Sequence, residues 1–284
     1  MKAPLISVII PTFNAAKTLK DTLDSVINQD YGNKEIWLID GVSTDNTLEI
    51  ICDYAASYAY IHWQSEKDKG IFDAMNKGIG LARGEWLYFL GADDVLYTHD
   101  VFSKIFGTSL SIAHDIIYGN AWLASKGQVY AGEFSIDRIT KENICHQAMF
   151  YHKRVFEKYP RYIIEYKAFA DWYLNMQCFG DTTLHIQYID CIIANYNEYG
   201  FSAGYQDAAF RAAADHLIYT QLIHFVTPTF RYQLYEELIQ QGVEKIIHKQ
   251  DVWVGIRQII KGGIANKHLI TSIKDIVYWL LKSS

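Results

Sequence analysis

Two adjacent carboxylates, Asp93 and Asp94, lie two residues after an uninterrupted apolar run at residues 86–90. The run is short and rich in aromatic residues, which predicts a strand that is buried on both faces. Open α/β sheets bind their ligands at the carboxyl ends of such strands, and hard divalent cations prefer carboxylate oxygens. The pair is therefore suited to hold a metal ion together with substrate phosphates. Adjacent acids also cap helices, so the dipeptide by itself leaves both interpretations open.

Strands and helices alternate before this pair. Apolar runs predict three strands, at residues 5–10, 35–40 and 60–63. Apolar residues at helical spacing predict a helix after each of them, around Leu19, Leu48 and Ile71. The first 94 residues thus have the β-α-β-α-β-α-β order of a parallel doubly wound sheet. Asp40 ends the second strand, so we expect it at the same sheet edge as Asp94.

The pattern changes after Asp94. A short helix is predicted at residues 101–106, and strand-like runs predict a mixed or antiparallel extension of the sheet, at 115–123, 128–134, 148–152 and 185–194. A helix at residues 165–179 contains Asp171. Further helices are predicted at residues 205–226, 229–241, 252–260 and 270–281. We therefore expect an α/β domain at residues 1–204, with a mostly parallel central sheet flanked by helices, and a C-terminal helical extension at residues 205–284.

Charge is distributed unevenly along the chain. The net charge is −6, but residues 242–284 contain seven Lys and Arg against three Asp and Glu. An acidic body argues against nucleic acid as a partner. The basic segment and the aromatic stripe at residues 270–281 together favour peripheral contact with an anionic membrane. Packing against the body or a second copy would explain the same stripe.

Several other kinds of site do not fit the sequence. The glycines Gly78, Gly80 and Gly84 lie within or after a predicted helix, whereas a dinucleotide-binding loop lies between a strand and a helix. The four cysteines have no zinc-type spacing, which favours reduced thiols and a cytoplasmic location. No apolar run approaches the length that a membrane-spanning helix needs.

Several separated segments share their order and spacing with a known family: ISVIIPTFN at residues 6–14, DGVSTD at 40–45, EKDKGIFDAMNKG at 66–78, GADD at 91–94, HQA at 146–148 and ADW at 170–172. Together they resemble the family 2 glycosyltransferases of the GT-A fold, the inverting enzymes of bacterial polysaccharide and glycolipid assembly. The resemblance covers about residues 5–205. It implies the GT-A fold, a nucleotide-diphosphate sugar donor (a UDP-sugar), and Mg²⁺ or Mn²⁺ as cofactor.

The resemblance also implies roles for individual residues. Asp94 would bind the metal ion, and Asp171 would be the catalytic base that deprotonates the acceptor hydroxyl. His146 would contact the acceptor or a phosphate. The residues implied around the nucleotide are Pro11, Thr12, Asn14, Asp40, Asp68, Asp73, Asn76 and Asp93. Of these, Asp40 would accept a hydrogen bond from the uracil ring.

The chain departs from the family pattern at two motifs. Many members have two Asp residues at the second turn, where this chain has Asp40 followed by Gly41. The metal-binding motif keeps only its last two acids, Asp93 and Asp94. The part of the chain beyond about residue 205 has no motif to which a role transfers.

Ordinary structural roles would also explain several of these residues. Capping or turn formation would account for Thr12, Asn14 and Asp40. Asp68 and His146 fit a solvated loop acid and an ordinary satisfied histidine. Asp171 fits an exposed helix acid, although the apolar residues around it would raise its proton affinity.

Two rival function classes share features with this chain. A nucleotidyltransferase has a similar fold and acidic site, but it needs a basic glycine-rich loop where this chain has residues 11–16, PTFNAA. A non-catalytic sugar-nucleotide binder would not need Asp40, Asp94 and Asp171 together. We therefore keep the function that the resemblance implies, a metal-dependent, inverting glycosyltransferase with a saccharide or lipid-linked acceptor. We expect it in the cytoplasm or peripherally on the inner face of the membrane.

Overall fold

A computed structural model describes residues 3–108, 113–130, 132–159, 161–196 and 207–247, together with 255, 257–259 and 261. The chain forms two compact units, residues 1–220 and 221–284. The predicted boundary at residue 204, the predicted helix at 270–281 and most of that at 252–260 lie outside the described residues.

The described strands form one sheet in the first unit. They are β1 (Ile6–Thr12), β2 (Lys34–Asp40), β3 (Ile61–Ser65), β4 (Trp86–Phe89), β5 (Val95–Leu96), β6 (Ile116–Leu123), β7 (Gln128–Tyr130), β8 (Met149–His152) and β9 (Ile186–Tyr196). Their order is β3-β2-β1-β4-β8-β6-β9-β5, and β7 pairs with β6. The first four strands are mutually parallel, whereas β8 is antiparallel to both β4 and β6. The predicted parallel half and mixed extension are therefore confirmed.

Helices flank this sheet. In the first unit they are α1 (Leu19–Ile27), α2 (Thr47–Ser57), α3 (Ile71–Leu81), α4 (Val101–Phe106), α5 (Ile136–Ile139), α6 (Lys153–Lys158), α7 (Ala170–Phe179) and α8 (Ala208–Thr220). The second unit contains α9 (Pro228–Ile247). Residues His146–Ala148 form a 3₁₀ turn just before β8.

The chain between β7 and α5 differs from the predicted strand at 128–134. Gly132 has a φ of 100°, a left-handed conformation that ends strand pairing and suits glycine. Ser135 then caps α5, because its side chain accepts a hydrogen bond from the Arg138 backbone N–H. These local signals override the apolar pattern that predicted a longer strand.

The β4 strand is buried on both faces, as its composition predicts. Each residue from Trp86 to Phe89 is at most 2% exposed. Tyr88 stacks on Phe150 of β8 with a centroid distance of 4.5 Å, and Phe102 of α4 packs edge-on against the same two rings. This packing fixes the end of β4, and therefore the position of Asp93 and Asp94.

Within the described part of the chain, no helix has the length and apolar character needed to span a membrane. The four cysteines, all in that part, are unpaired thiols.

Candidate active site

A cavity of about 610 Å³ opens beside the carboxyl ends of β1 and β4. Five of the predicted nucleotide residues line it: Pro11, Thr12, Asn14, Asp68 and Asp93. Thr12 Oγ1 is buried and has no hydrogen-bond partner among the described residues. A buried polar atom of this kind needs a partner, which a bound ligand would supply. Lys17, which sequence reasoning missed, lines the same cavity and adds a positive charge to its wall.

Asn14 joins the first loop to the turn after β2. Its backbone N–H donates to Ser43 Oγ at 2.9 Å, and its Oδ1 accepts from the Thr44 N–H at 2.8 Å. Its φ of 51° lies in the left-handed region, which asparagine tolerates well. Asn14 therefore builds the cavity wall through turn contacts.

Asp40 is fully buried and organises its own turn. Its carboxylate accepts hydrogen bonds from the Val42 and Ser43 N–H groups, from Ser43 Oγ at 2.5 Å and from Ser65 Oγ at 2.6 Å. It is not among the described residues that line the cavity. Asp40 thus stabilises the turn after β2 and does not cap α2, whose N-cap residue is Asn46. The contact with a uracil ring stays a prediction.

Gly41, the departure from the family pattern, makes room for Asp68. A Cβ built at residue 41 would lie 2.6 Å from Asp68 Oδ2, closer than non-bonded atoms approach. Asp68 Oδ1 accepts from the Gly70 N–H at 2.9 Å, which fixes the carboxylate. The carboxylate of Asp68, which lines the cavity, therefore lies beside residue 41, the position where many family members have their second Asp.

Asp73 and Asn76 lie outside the described linings of both cavities. Asp73 accepts a hydrogen bond from the Lys69 N–H at the start of α3. Asn76 pairs both amide atoms with the Tyr162 backbone, each at 2.9 Å. Their observed contacts are structural.

Asp93 and Asp94 converge over Gly91. A Cβ at residue 91 would collide with Asp94 Oδ2 and would lie 3.0 Å from Asp93 Oδ1. Asp94 is 2% exposed, and its Oδ2 accepts a hydrogen bond from Gln147 Nε2 at 2.5 Å. No group of three His, Cys, Asp or Glu in the described residues is arranged to hold a metal alone. The two hard carboxylates fit Mg²⁺ or Mn²⁺ if substrate phosphates supply further ligands.

A second cavity, of about 360 Å³, contains the candidate base. Its aromatic lining consists of Tyr130, Phe169, Trp172 and Tyr196, and its polar lining includes Lys126, Asn143, His146, Gln147 and Asp171. Gln147 also contacts Asp94, so the second cavity adjoins the proposed metal ligand.

Asp171 lies in the first turn of α7 and is only 6% exposed, so the alternative of an exposed helix acid is wrong. Burial raises the pKa of its carboxyl to about 6, while the Trp172 N–H and the Asn143 amide favour the charged form. A base that titrates near neutral pH is suited to general base catalysis.

His146 lies beside this carboxylate. Its Nδ1 is 3.9 Å from Asp171 Oδ2. Burial lowers the His146 pKa to about 4, so the ring is neutral at pH 7. Its Nε2 is buried and makes no hydrogen bond to the described residues. The described residues therefore do not support the alternative that His146 is an ordinary histidine whose ring nitrogens both have hydrogen-bond partners.

A model of the Glycosyl transferase family 2 matches residues 7–160, more than half of the chain. The chain belongs to this family. A family 2 glycosyltransferase is an enzyme that transfers a sugar. The alternative of a nucleotidyltransferase is therefore wrong.

Similar proteins extend this family 2 assignment. The PGL/p-HBAD biosynthesis glycosyltransferase of Mycobacterium tuberculosis is 41% identical over 207 residues, covering 70% of this chain and 79% of that protein. Among solved structures, S. aureus TarS 1-349 in complex with UDP has a TM-score of 0.62 at 16% identity and covers 91% of this chain and 88% of that chain. The mannosyltransferase PcManGT from Pyrobaculum calidifontis, in complex with GDP-Man and Mn²⁺, has a TM-score of 0.59 at 15% identity, covering 95% and 76%. The GT-A fold is thereby confirmed.

Family membership leaves several site residues of this glycosyltransferase unexplained. Sequence reasoning missed Lys17, Asn143 and Trp172 as cavity residues, and it gave Gln147 no role. One signal was the cation in the loop after β1, since Lys17 follows a predicted nucleotide-binding segment. Gln147 and Trp172 lie in the segments HQA and ADW that carry the resemblance, which gives neither of them a role of its own. Asn143 has no such signal, because only the fold brings it to Asp171.

Proposed function

We propose that this family 2 enzyme transfers a sugar from a UDP-sugar to a hydroxyl of a saccharide or lipid-linked acceptor, with inversion at the anomeric carbon. One observation carries the proposal: Asp171, a buried carboxylate with a raised pKa, lines a cavity that is joined through Gln147 to the Asp93–Asp94 pair. Because Gln147 contacts Asp94 and lines the cavity of Asp171, this arrangement supports a base and a charge-neutralising site that act on one reaction.

The donor would lie in the larger cavity. Asp94, with Asp93 beside it, would hold Mg²⁺ or Mn²⁺, and a bound divalent cation supplies Lewis-acid stabilisation of a leaving diphosphate. Lys17 would add a second positive charge there, and Asp68 would accept a hydrogen bond from the base or ribose. Solved structures of the same fold in complex with UDP, or with GDP-Man and Mn²⁺, support this assignment.

The acceptor would lie in the smaller cavity. Asp171 takes the proton of the acceptor hydroxyl, whose oxygen forms a bond to the anomeric carbon as the bond to the diphosphate oxygen breaks. One displacement inverts the configuration, and it needs one base, which Asp171 provides. His146, neutral and 3.9 Å away, would contact the acceptor.

The acceptor class receives support from the M. tuberculosis relative, which is named for PGL/p-HBAD biosynthesis. A lipid-linked acceptor would place the enzyme peripherally on the cytoplasmic face of a membrane, where the basic segment 242–284 would meet anionic lipid. Flotation of the full-length protein with anionic and with neutral liposomes tests this point. Failure to float with anionic liposomes would contradict membrane contact, and equal flotation with both kinds would contradict a role for the basic segment. A concentration-dependent dimer would favour self-association.

The central test combines donor binding with turnover. Thermal-shift measurements with UDP- and GDP-sugars, with and without Mn²⁺, should show a metal-dependent increase in melting temperature for a UDP-sugar. Asp94→Ala should lose this increase. Asp171→Asn should retain it and lose donor turnover, and wild-type turnover by folded Asp171→Asn would overturn the base assignment.

A further inference from the structure

Asn143 contacts the side chains of two residues one turn apart on α7. Its Nδ2 donates to Asp171 Oδ2 at 2.8 Å, and its Oδ1 accepts from Asn175 Nδ2 at 2.9 Å. Residues four apart lie on the same face of a helix, so Asn143 bridges this face from the loop before the 3₁₀ turn. The backbone carbonyl of Asn143 is itself fixed by the Tyr130 hydroxyl at 2.5 Å.

The direction of every bond in this chain is determined by the Asp171 carboxylate, which in its charged form can only accept. Asn143 must therefore turn its NH₂ group towards Asp171, and its Oδ1 then accepts from Asn175 Nδ2. Asn175 Oδ1 accepts in turn from the Tyr151 hydroxyl at 2.7 Å. Burial raises the Tyr151 pKa well above its ordinary value, so the phenol keeps the proton that it donates, and the same hydroxyl lies 3.2 Å from Met149 Sδ. Tyr151 and Asn175 are fully buried, and buried chains of this kind polarise one another.

Neighbouring charges do not provide an alternative partner for the carboxylate. The titratable groups that interact with Asp171 are Cys145, His146, Tyr151 and Tyr162. Burial raises the pKa of the thiol and both phenols and lowers that of the imidazole, so all four are uncharged at neutral pH. Lys126 and Tyr130 line the same cavity as Asp171, but neither of them shifts the pKa of Asp171. Among the described side chains, Asn143 alone donates a hydrogen bond to Asp171.

We propose that Asn143 is the positioning residue of the catalytic base: it holds Oδ2 of Asp171 at the end of a hydrogen-bond chain anchored by Tyr151. The inference rests on the proposed function of Asp171. A donor that favours the carboxylate form keeps the base deprotonated and oriented in a cavity whose burial opposes its charge.

Carboxyl ¹³C NMR on the full-length protein measures how Asn143 affects the pKa of Asp171, and it needs no acceptor. The Asp171 resonance is identified by its absence from the spectrum of Asp171→Asn. The wild-type carboxyl should titrate near pH 6. Asn143→Ala should move the midpoint upward by about one pH unit, because a hydrogen bond to a charged group is lost. Asn143→Asp, which keeps the shape but adds a like charge, should move it further, and Tyr151→Phe should move it less.

The pH profile of donor turnover gives the second readout. In Asn143→Ala the acidic limb should shift by the same amount, so that turnover at pH 6 falls about fivefold while the alkaline plateau is retained. Gln29→Ala is the matched control, since Gln29 is a buried amide with three hydrogen bonds between α1 and α4 and should destabilise the protein without moving either readout.

The outcomes separate the two proposals. An unchanged Asp171 titration in both Asn143→Asp and Tyr151→Phe, or a turnover loss in Asn143→Ala that is equal at every pH, would overturn the role of Asn143 and leave the base assignment intact. Turnover by folded Asp171→Asn would overturn the base assignment itself. Tyr151→Phe keeps the test decisive if Asn143 variants fail to fold, because it retains the packed ring.

Discussion

Gln147 Nε2 lies 2.5 Å from Asp94 Oδ2, and the same glutamine lines the cavity of Asp171. Two further contacts fix this residue: its backbone carbonyl accepts from the Tyr88 hydroxyl at 2.8 Å, and its Oε1 accepts from the Cys145 thiol at 3.0 Å. Gln147 therefore orients the proposed metal ligand from the side of the cavity that contains Asp171.

Gln147→Leu should weaken metal-dependent nucleotide binding. A side chain that orients a metal ligand typically changes metal affinity by about 10–100-fold, so the UDP affinity measured by calorimetry with Mn²⁺ should fall by a similar factor. Affinity in EDTA should change little, because Gln147 is not among the described residues of the nucleotide cavity. Equal losses with and without metal would contradict this role.

Asp171→Asn should stabilise the protein while it removes catalysis. With a folded pKa near 6 and an ordinary value of 3.8, the folded state binds the proton more tightly than the unfolded state. The free energy of unfolding of the wild type therefore decreases as pH rises from about 4 to 6 and stays lower above pH 6. Removing the buried charge should recover up to about 3 kcal/mol at pH 7.

Urea unfolding of both proteins at pH 4 and pH 7 measures this difference. The Asn143 bond can persist to the Asn oxygen, so the local structure should survive. Turnover should fall by about 10²–10⁴. An equal stability difference at both pH values would show that Asp171 does not titrate between them.

Gly41→Ala should act on the nucleotide through Asp68. A Cβ at residue 41 would lie 2.6 Å from Asp68 Oδ2, and the carboxylate is the partner that can move. Gly41→Ala and Asp68→Ala should therefore lower UDP affinity to a similar extent. Because both changes remove the same contact, the double variant should bind as weakly as either single one. Additive losses would indicate that the two residues act separately.

Hydrophobic pattern predicted the parts of this fold that local sequence determines. The β4 run and the alternation of strands and helices before it place Asp93 and Asp94 at the carboxyl edge of the sheet. The apolar surroundings of Asp171 likewise predicted a raised proton affinity, and its pKa is raised to about 6.

Residues whose roles depend on distant contacts were not predictable in this way. Asn143 meets Asp171 across 28 positions, and Gln147 meets Asp94 across 53. Nothing near either residue in the chain specifies these partners. Asn76 shows the converse: its motif implies a nucleotide contact, but its amide pairs with the Tyr162 backbone 86 positions away.

Val42→Gly should stabilise the turn after β2. Val42 has a φ of 66° and is 48% exposed, so a β-branched side chain adopts a left-handed conformation with little packing in return. Relief of the left-handed conformation should raise the free energy of unfolding by about 1–2 kcal/mol. The greater flexibility of glycine in the unfolded chain should offset about 0.5–1 kcal/mol of this gain. The melting temperature should rise. Val129→Gly is the control, because exposed Val129 lies in β7 without a left-handed φ and its replacement should lower the melting temperature.

Trp172→Ala should reduce acceptor affinity and leave donor affinity unchanged. The indole is held in place because its Nε1 donates to the Ile139 carbonyl at 2.6 Å, and Phe210 packs on the ring at a centroid distance of 5.1 Å. A fixed aromatic wall beside the base favours an acceptor that presents a ring, such as a sugar or a phenol.

A panel of aryl glycosides, free phenols and aliphatic alcohols compares these acceptor classes by the KM for transfer. With ring acceptors, Trp172→Ala should raise KM by about 3–10-fold, Trp172→Phe should raise it less, and aliphatic alcohols should respond little to either. Trp63→Ala provides the control, because Trp63 is an exposed β3 residue outside the described cavity linings. A rise in donor KM in Trp172→Ala, or equal effects on all three acceptor classes, would contradict stacking, because an aromatic wall can discriminate only among acceptors that contact it.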